Sequence, residues 1–234
     1  MTRAFVVALL VAGCGAQPAA DYGRALFSDT SVSTAASNPF KCSTCHEVGA
    51  MTTKTLPGYT MYDAAVRPAW WGGTVTTLLD ATNQCVVQFM RGKALADDDE
   101  KGRAIFVYLG SLAPDPSADT KPLTVTQNIV DVPSGDATRG KMWWDQGCGN
   151  CHGAPHTGDG RISDVASLVP DDSLAAHGTD PKTGARPVVI EKVRHGKFFN
   201  VGGNMPLFSL EALSDAQLGD ILAYLEGFGL PPSQ

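Results

Sequence analysis

The chain has 234 residues, enough for one large domain or two small ones. Hydrophobic residues make up 43% and charged residues 18%, the balance of a globular protein, and no stretch reaches the roughly 18–20 apolar residues of a membrane-spanning helix. A formal net charge of −6 argues against nucleic acid as a partner.

The N-terminus reads as an address. Met1-Thr2-Arg3 is short and positive, and Ala4 to Ala12 is an unbroken apolar run. That run suits a signal sequence and is too short to cross a bilayer. Val11-Ala12-Gly13-Cys14 comes at its end and resembles a bacterial lipobox, in which the cysteine is diacylated and becomes the mature N-terminus. An ordinary signal cut after Ala16 or Ala20, with Cys14 discarded, is the alternative. Several acyl chains hold a protein firmly where one does not. The expectation is a signal peptide over 1–13, lipidation at Cys14, and a tether over 14–20. The folded part would stand on the periplasmic side of the envelope. By resemblance to bacterial sorting rules, Gly15 in place of Asp points to the outer membrane.

The remainder repeats itself. Gly23-Arg24-Ala25-Leu26-Phe27 opens one copy and Gly140-Lys141-Met142-Trp143-Trp144 the other, each a helical signal. Cys42-Ser43-Thr44-Cys45-His46 recurs as Cys148-Gly149-Asn150-Cys151-His152. A second helix then ends in Phe89-Met90-Arg91-Gly92-Lys93 or in Val193-Arg194-His195-Gly196-Lys197. Apolar residues at helical spacing close each copy, Ile105 to Leu109 and Ile221 to Leu225. Between the copies the chain is rich in Pro, Asp, Ser and Thr, and Pro114, Pro116, Pro122 and Pro133 interrupt any helix. The expected organisation is domains over 21–113 and 134–234 joined by a linker over 114–133. Within that linker, Val125 to Val132 could dock on one domain as an extended segment.

Two thiols three positions apart can each add to one vinyl group of the same haem, and the adjacent histidine then lies under the iron. Cys-x-x-Cys-His is the haem-attachment signature. A zinc site would need a second Cys/His pair, and a thioredoxin-like site would need a βαβ context. Cys42, Cys45, Cys148 and Cys151 are thus the expected covalent attachment points of two haem c groups, with His46 and His152 as axial ligands.

Both halves resemble class I cytochrome c domains. The resemblance implies an all-α fold, a few helices around each haem, with the first and last helices crossing at a glycine packed on an aromatic. Gly23 and Phe27 would meet Ile105 and Tyr108, and Gly140 and Trp144 would meet Ile221 and Tyr224. In the second half, Gly203-Asn204-Met205-Pro206-Leu207-Phe208 resembles the family's methionine loop and implies Met205 as the sixth iron ligand.

The first half lacks that loop. After Gly92 it runs into Asp97-Asp98-Asp99-Glu100, an acidic stretch suited to a helix N-terminus. Cys85 and Met90 are the remaining candidates for the first iron, with Met51 and Met61 placed lower. Cys85 precedes Phe89 by four and shares its helix face. It is also left without a disulfide partner once four cysteines hold haem and Cys14 holds lipid. Asn83-Gln84-Cys85 with Arg91-Gly92-Lys93 resembles the first domain of thiosulfate dehydrogenase-type dihaem cytochromes, where a cysteine thiolate ligates the catalytic haem. Trp70 and Trp71 are expected to cover the first haem or fill core, and His177 and His195 to lie at the surface.

The expected function is electron transfer between redox proteins of the cell envelope. The alternative is a sulfur-compound oxidoreductase of the thiosulfate dehydrogenase kind, with Arg67, Arg91 and Lys93 as candidate cations for an anionic substrate.

Overall fold

The computed structural model describes residues 19–113, 115, 120–126, 131–196 and 204–233. The proposed signal peptide, Cys14 and Lys197 lie outside them. The fold is all-α: nine α-helical segments with no strand among the described residues, only isolated bridges at Glu47–Thr60 and Trp70–Val75.

Helix α1 (Ala19–Phe27) starts two residues inside the expected tether. The short α2 (Cys42–Cys45) is the first Cys-x-x-Cys turn. Helix α3 (Leu78–Gln84), capped by Thr77, runs into a π-helical turn, Cys85–Phe89. The acidic run then caps α4 (Glu100–Ser111), as Asp99 accepts from the backbone N–H groups of Lys101 and Gly102. In the second half, α5 (Ala137–Trp143) passes through a π turn, Trp144–Cys148, directly into α6 (Gly149–His152). Helices α7 (Asp171–His177), α8 (Ala185–His195) and α9 (Asp215–Glu226) complete it, and a Ser214–Gln217 capping box opens α9.

The buried residues form two cores. One gathers Leu26, Phe27, Val32, Val86, Met90 and Ile105; the other gathers Trp144, Ile190, Phe208, Leu218, Ile221 and Leu222. Each is organised by one helix crossing, α1 on α4 and α5 on α9. A methyl group added at Gly23 would lie 2.0 Å from the Ala104 carbonyl oxygen and 2.7 Å from Tyr108 Cβ. One added at Gly140 would lie 1.9 Å from the Asp220 carbonyl oxygen and 2.8 Å from Tyr224 Cβ. Phe27 and Tyr108 meet edge-on at 5.7 Å, and Trp144 and Tyr224 pack as a tilted pair at 6.4 Å. The two halves therefore solve the crossing in the same way, with a glycine against backbone and an aromatic against a tyrosine.

At the second crossing Asp220, itself buried, binds Arg139 through two contacts of 2.8 and 2.9 Å. It also accepts from the Asp136 N–H and the Trp143 indole. The Arg139 hydrogen bond is the main cause holding its carboxyl below the usual range. The described linker residues contact both halves. The Thr120 hydroxyl donates to the Val66 carbonyl, while the Thr124 carbonyl accepts from the Leu210 N–H. Further on, Val132 enters the second core, and Asp131 pairs with the buried Arg186. Residues 127–130 of the expected extended segment lie outside the described residues.

Gly140→Ala is expected to cost about 3 kcal/mol, because the methyl meets backbone that no rotamer change can move. Gly110→Ala, on α4 with nothing within 4 Å, should be neutral or stabilising; thermal unfolding of the two variants checks the contrast. The depressed Asp220 pKa contributes stability that is full above the unfolded carboxylate value and lost as pH falls through the folded one. Asp220→Asn should therefore lose about 1–3 kcal/mol at pH 7 and show a shallower acid-induced decline, measured by urea unfolding at pH 7 and pH 3.

Candidate functional site: two cysteine–histidine motifs and a cavity

The two motif histidines are prepared in the same way. His46 is half-buried, and desolvation of its ring drives its pKa down to about 4. Its Nδ1 lies 2.8 Å from the Gly58 carbonyl oxygen. Donation there fixes the neutral tautomer and leaves the Nε2 lone pair for a metal. Gly58 has no alternative: a Cβ would lie 2.1 Å from His46 Cε1. His152 repeats the pattern, with burial lowering its pKa and Nδ1 2.9 Å from the Ser167 carbonyl. Trp144 stands 6.2 Å from the His152 ring and donates its indole N–H to Gly153.

The sequence pattern pointed to neither carbonyl. Pro57-Gly58 is a turn signal twelve residues beyond His46, and it is the one local clue to the first.

All four motif thiols are raised by burial, Cys42 to about 11 and Cys148 to about 12, so the apolar surroundings favour the neutral form. In the first half Cys42, Cys45 and His46 line one cavity. Its apolar walls come from Phe27 of α1, Leu78 of α3, and Ile105 and Leu109 of α4.

Cys85 and Met90 both line this cavity. Cys85 begins the π turn, and its thiol is pushed up to about 12 by burial, with Cys42 near enough to add to the effect. Met90, by contrast, is only 4% exposed and packs in the first core, its carbonyl accepting from Ser33 Oγ. Met61 also lines the cavity, whereas Met51 is 83% exposed and outside both cores. Trp70 and Trp71 close one side.

Of the three candidate cations only Arg67 enters the cavity; Arg91 and Lys93 are exposed. Arg67 is buried. Its Nη2 donates to the Thr60 carbonyl and to Asp63, while its Nε has no hydrogen-bond partner among the described residues. A buried guanidinium N–H with no acceptor is costly. A carboxylate entering the cavity would satisfy it. An apolar chamber with two thiols, a neutral imidazole and a guanidinium N–H lacking an acceptor fits a haem, whose ring is apolar and whose propionates are anionic.

In the second half Met205 packs against the core that contains Trp144 and Cys148. Its loop is pinned at three places. The Met205 carbonyl occupies the space a Cβ would need at Gly196, which has φ +54°. The Phe208 N–H donates to the Val193 carbonyl. The fully buried Arg194 donates to the Phe208 carbonyl at 3.4 Å, to the Leu213 carbonyl at 2.7 Å and to Asp215 at 2.6 Å, tying the loop's end to the start of α9.

One histidine departs from expectation. His195 is buried rather than superficial: Nε2 lies 2.6 Å from the Thr126 carbonyl, which draws the linker onto the end of α8. His156 and His177 are exposed, His156 pairing with Asp171 and lying edge-on to Phe228.

Residues 135–225 match the family model described as cytochrome C oxidase, cbb3-type, subunit III. That span contains Cys148, Cys151, His152 and Met205. No curated protein matches the chain. The matched segment is a cytochrome c domain, a haem-bearing electron-transfer module.

Proposed function

We propose that this chain, whose second half is a cytochrome c domain, is a two-haem c-type cytochrome that carries electrons between redox proteins of the cell envelope. The observation that supports a second haem in the first half is the repetition. The same Gly-to-backbone crossing, the same motif and the same neutral histidine with Nδ1 on a backbone carbonyl occur in both halves.

In this reading Cys42 and Cys45 attach one haem and Cys148 and Cys151 the other. His46 and His152 would each supply an imidazole nitrogen to the iron. Each haem supplies a one-electron iron couple. The chain holds the histidine tautomer and lines the site with apolar walls, and Arg67 would pair with a propionate. Met205 is the sixth ligand in the second half and favours a higher potential. Cys85 is the proposed sixth ligand in the first half, with Met90 the alternative. Both side chains line the cavity, and Cys85 is supported because it stands outside the buried core cluster in which Met90 is packed. Lipidation at Cys14 would tether the protein to the periplasmic side of a membrane, the outer membrane by the residue that comes after it.

A second reading is thiosulfate dehydrogenase-like oxidation of a sulfur anion. The joint presence of Cys85 and the cationic Arg67 in one cavity lining favours it. Purified protein mixed with thiosulfate and ferricyanide decides: reduction no faster than the blank removes that reading.

The ligand assignment predicts two distinct low-spin signals in electron paramagnetic resonance of the oxidised protein. Cys85→Ser should alter one and Met205→Ala the other, while each Cys-to-Ala pair at a motif should halve the covalent haem. If Cys85→Ser leaves both signals intact and Met90→Ala changes one, Met90 is the first half's ligand.

A further inference from the structure

The first half's cavity is not walled by the first half alone. Leu123 and Val125 of the linker line it, and so do Asn204, Pro206, Leu207 and Ser209 of the second half's methionine loop. Leu207 and Ser209 are buried there. Val125 sits against Gly72, where a Cβ would lie 3.0 Å from the valine side chain. The linker is fixed on both sides of this contact. Its Thr120 hydroxyl binds the Val66 carbonyl of the first half, and the Thr124 N–H donates to Glu211 of the second at 2.9 Å. The Thr126 carbonyl accepts from buried His195.

The same face brings the attachment motifs together. A Cβ at Gly147, one residue before Cys148, would lie 2.8 Å from the Thr55 carbonyl oxygen. Tyr59, beside the Gly58 that holds His46, packs against the second core.

We propose that the first haem site is a composite chamber, completed by the linker residues Leu123 and Val125 and by Pro206 and Leu207 of the second half's methionine loop. The inference rests on the two-haem reading. It makes these residues positioning residues for the first haem: they keep water and foreign ligands off it without touching its iron. On this face the neighbour of the first haem is the second half of its own chain, not a separate protein. Solvent at a haem favours the oxidised, more charged form. Opening the chamber therefore lowers the first midpoint and lets an external ligand in.

The test compares the full-length holoprotein with Leu123→Ser/Val125→Ser and with the milder Leu123→Ala/Val125→Ala pair. Spectroelectrochemistry gives both midpoints, and titration with imidazole gives the first haem's affinity for an outside ligand. The expected result is a lower first midpoint and a several-fold rise in imidazole affinity, graded from the Ala to the Ser pair. The second midpoint and the methionine–iron charge-transfer band should stay in place. That band shows that the second half has remained folded. A two-haem protein whose first midpoint and imidazole affinity ignore both pairs overturns the composite chamber alone. A haem count of one per chain overturns the two-haem reading and the inference with it.

Discussion

Two backbone-to-backbone contacts carry this structure, Gly23 on Ala104 and Gly140 on Asp220. Each lets two helices approach more closely than any side chain would permit, and the approach is what seats an aromatic from the first helix against a tyrosine of the last. The crossing fixes where the chain leaves the first helix, and so where the cysteines and histidine are presented. In the second half the exit is direct, because α5 winds through a π turn into Cys148. The first half interposes a loop whose Asn38 side chain ties the Thr30 and Phe40 carbonyls before Lys41 and Cys42 are reached. The same crossing thus tolerates two different routes to the motif.

The halves part beyond the motif. In the second, Gly196, Val193 and Arg194 contact the segment 205–208 that carries Met205. In the first, no such loop exists, and the cavity wall is built by the π turn that starts at Cys85. A π turn widens a helix by one residue and is common where a side chain must be re-aimed at a functional site. One half is therefore equipped with a thioether and the other with a thiol on the cavity wall. If both sites carry haem as proposed, that asymmetry would set the thioether side at the higher potential.

The parts legible in the sequence were those set by local rules. The repeated motif, the glycine–aromatic phrases, the acidic cap of α4 and the methionine loop each announce themselves within a few residues. The parts that were not legible depend on contacts between distant segments. Arg67 looks like any solvated charge until Thr60, Asp63 and the cavity bury it. His195 looks superficial because its partner, the Thr126 carbonyl, arrives from a proline-rich stretch with no periodic signal. The carbonyls of Gly58 and Ser167 leave no side-chain trace at all, though they set the tautomer of both histidines. Nor does spacing within either repeat reveal that one copy helps wall the other.

The central claim is that both motifs carry covalent porphyrin, and the intact mass of the purified chain tests it most directly. Porphyrin on both motifs predicts a mass raised by two haem groups above that of the processed polypeptide, with each motif peptide carrying one after proteolysis. A mass raised by a single group, with the Cys42–Cys45 peptide bare, would contradict it.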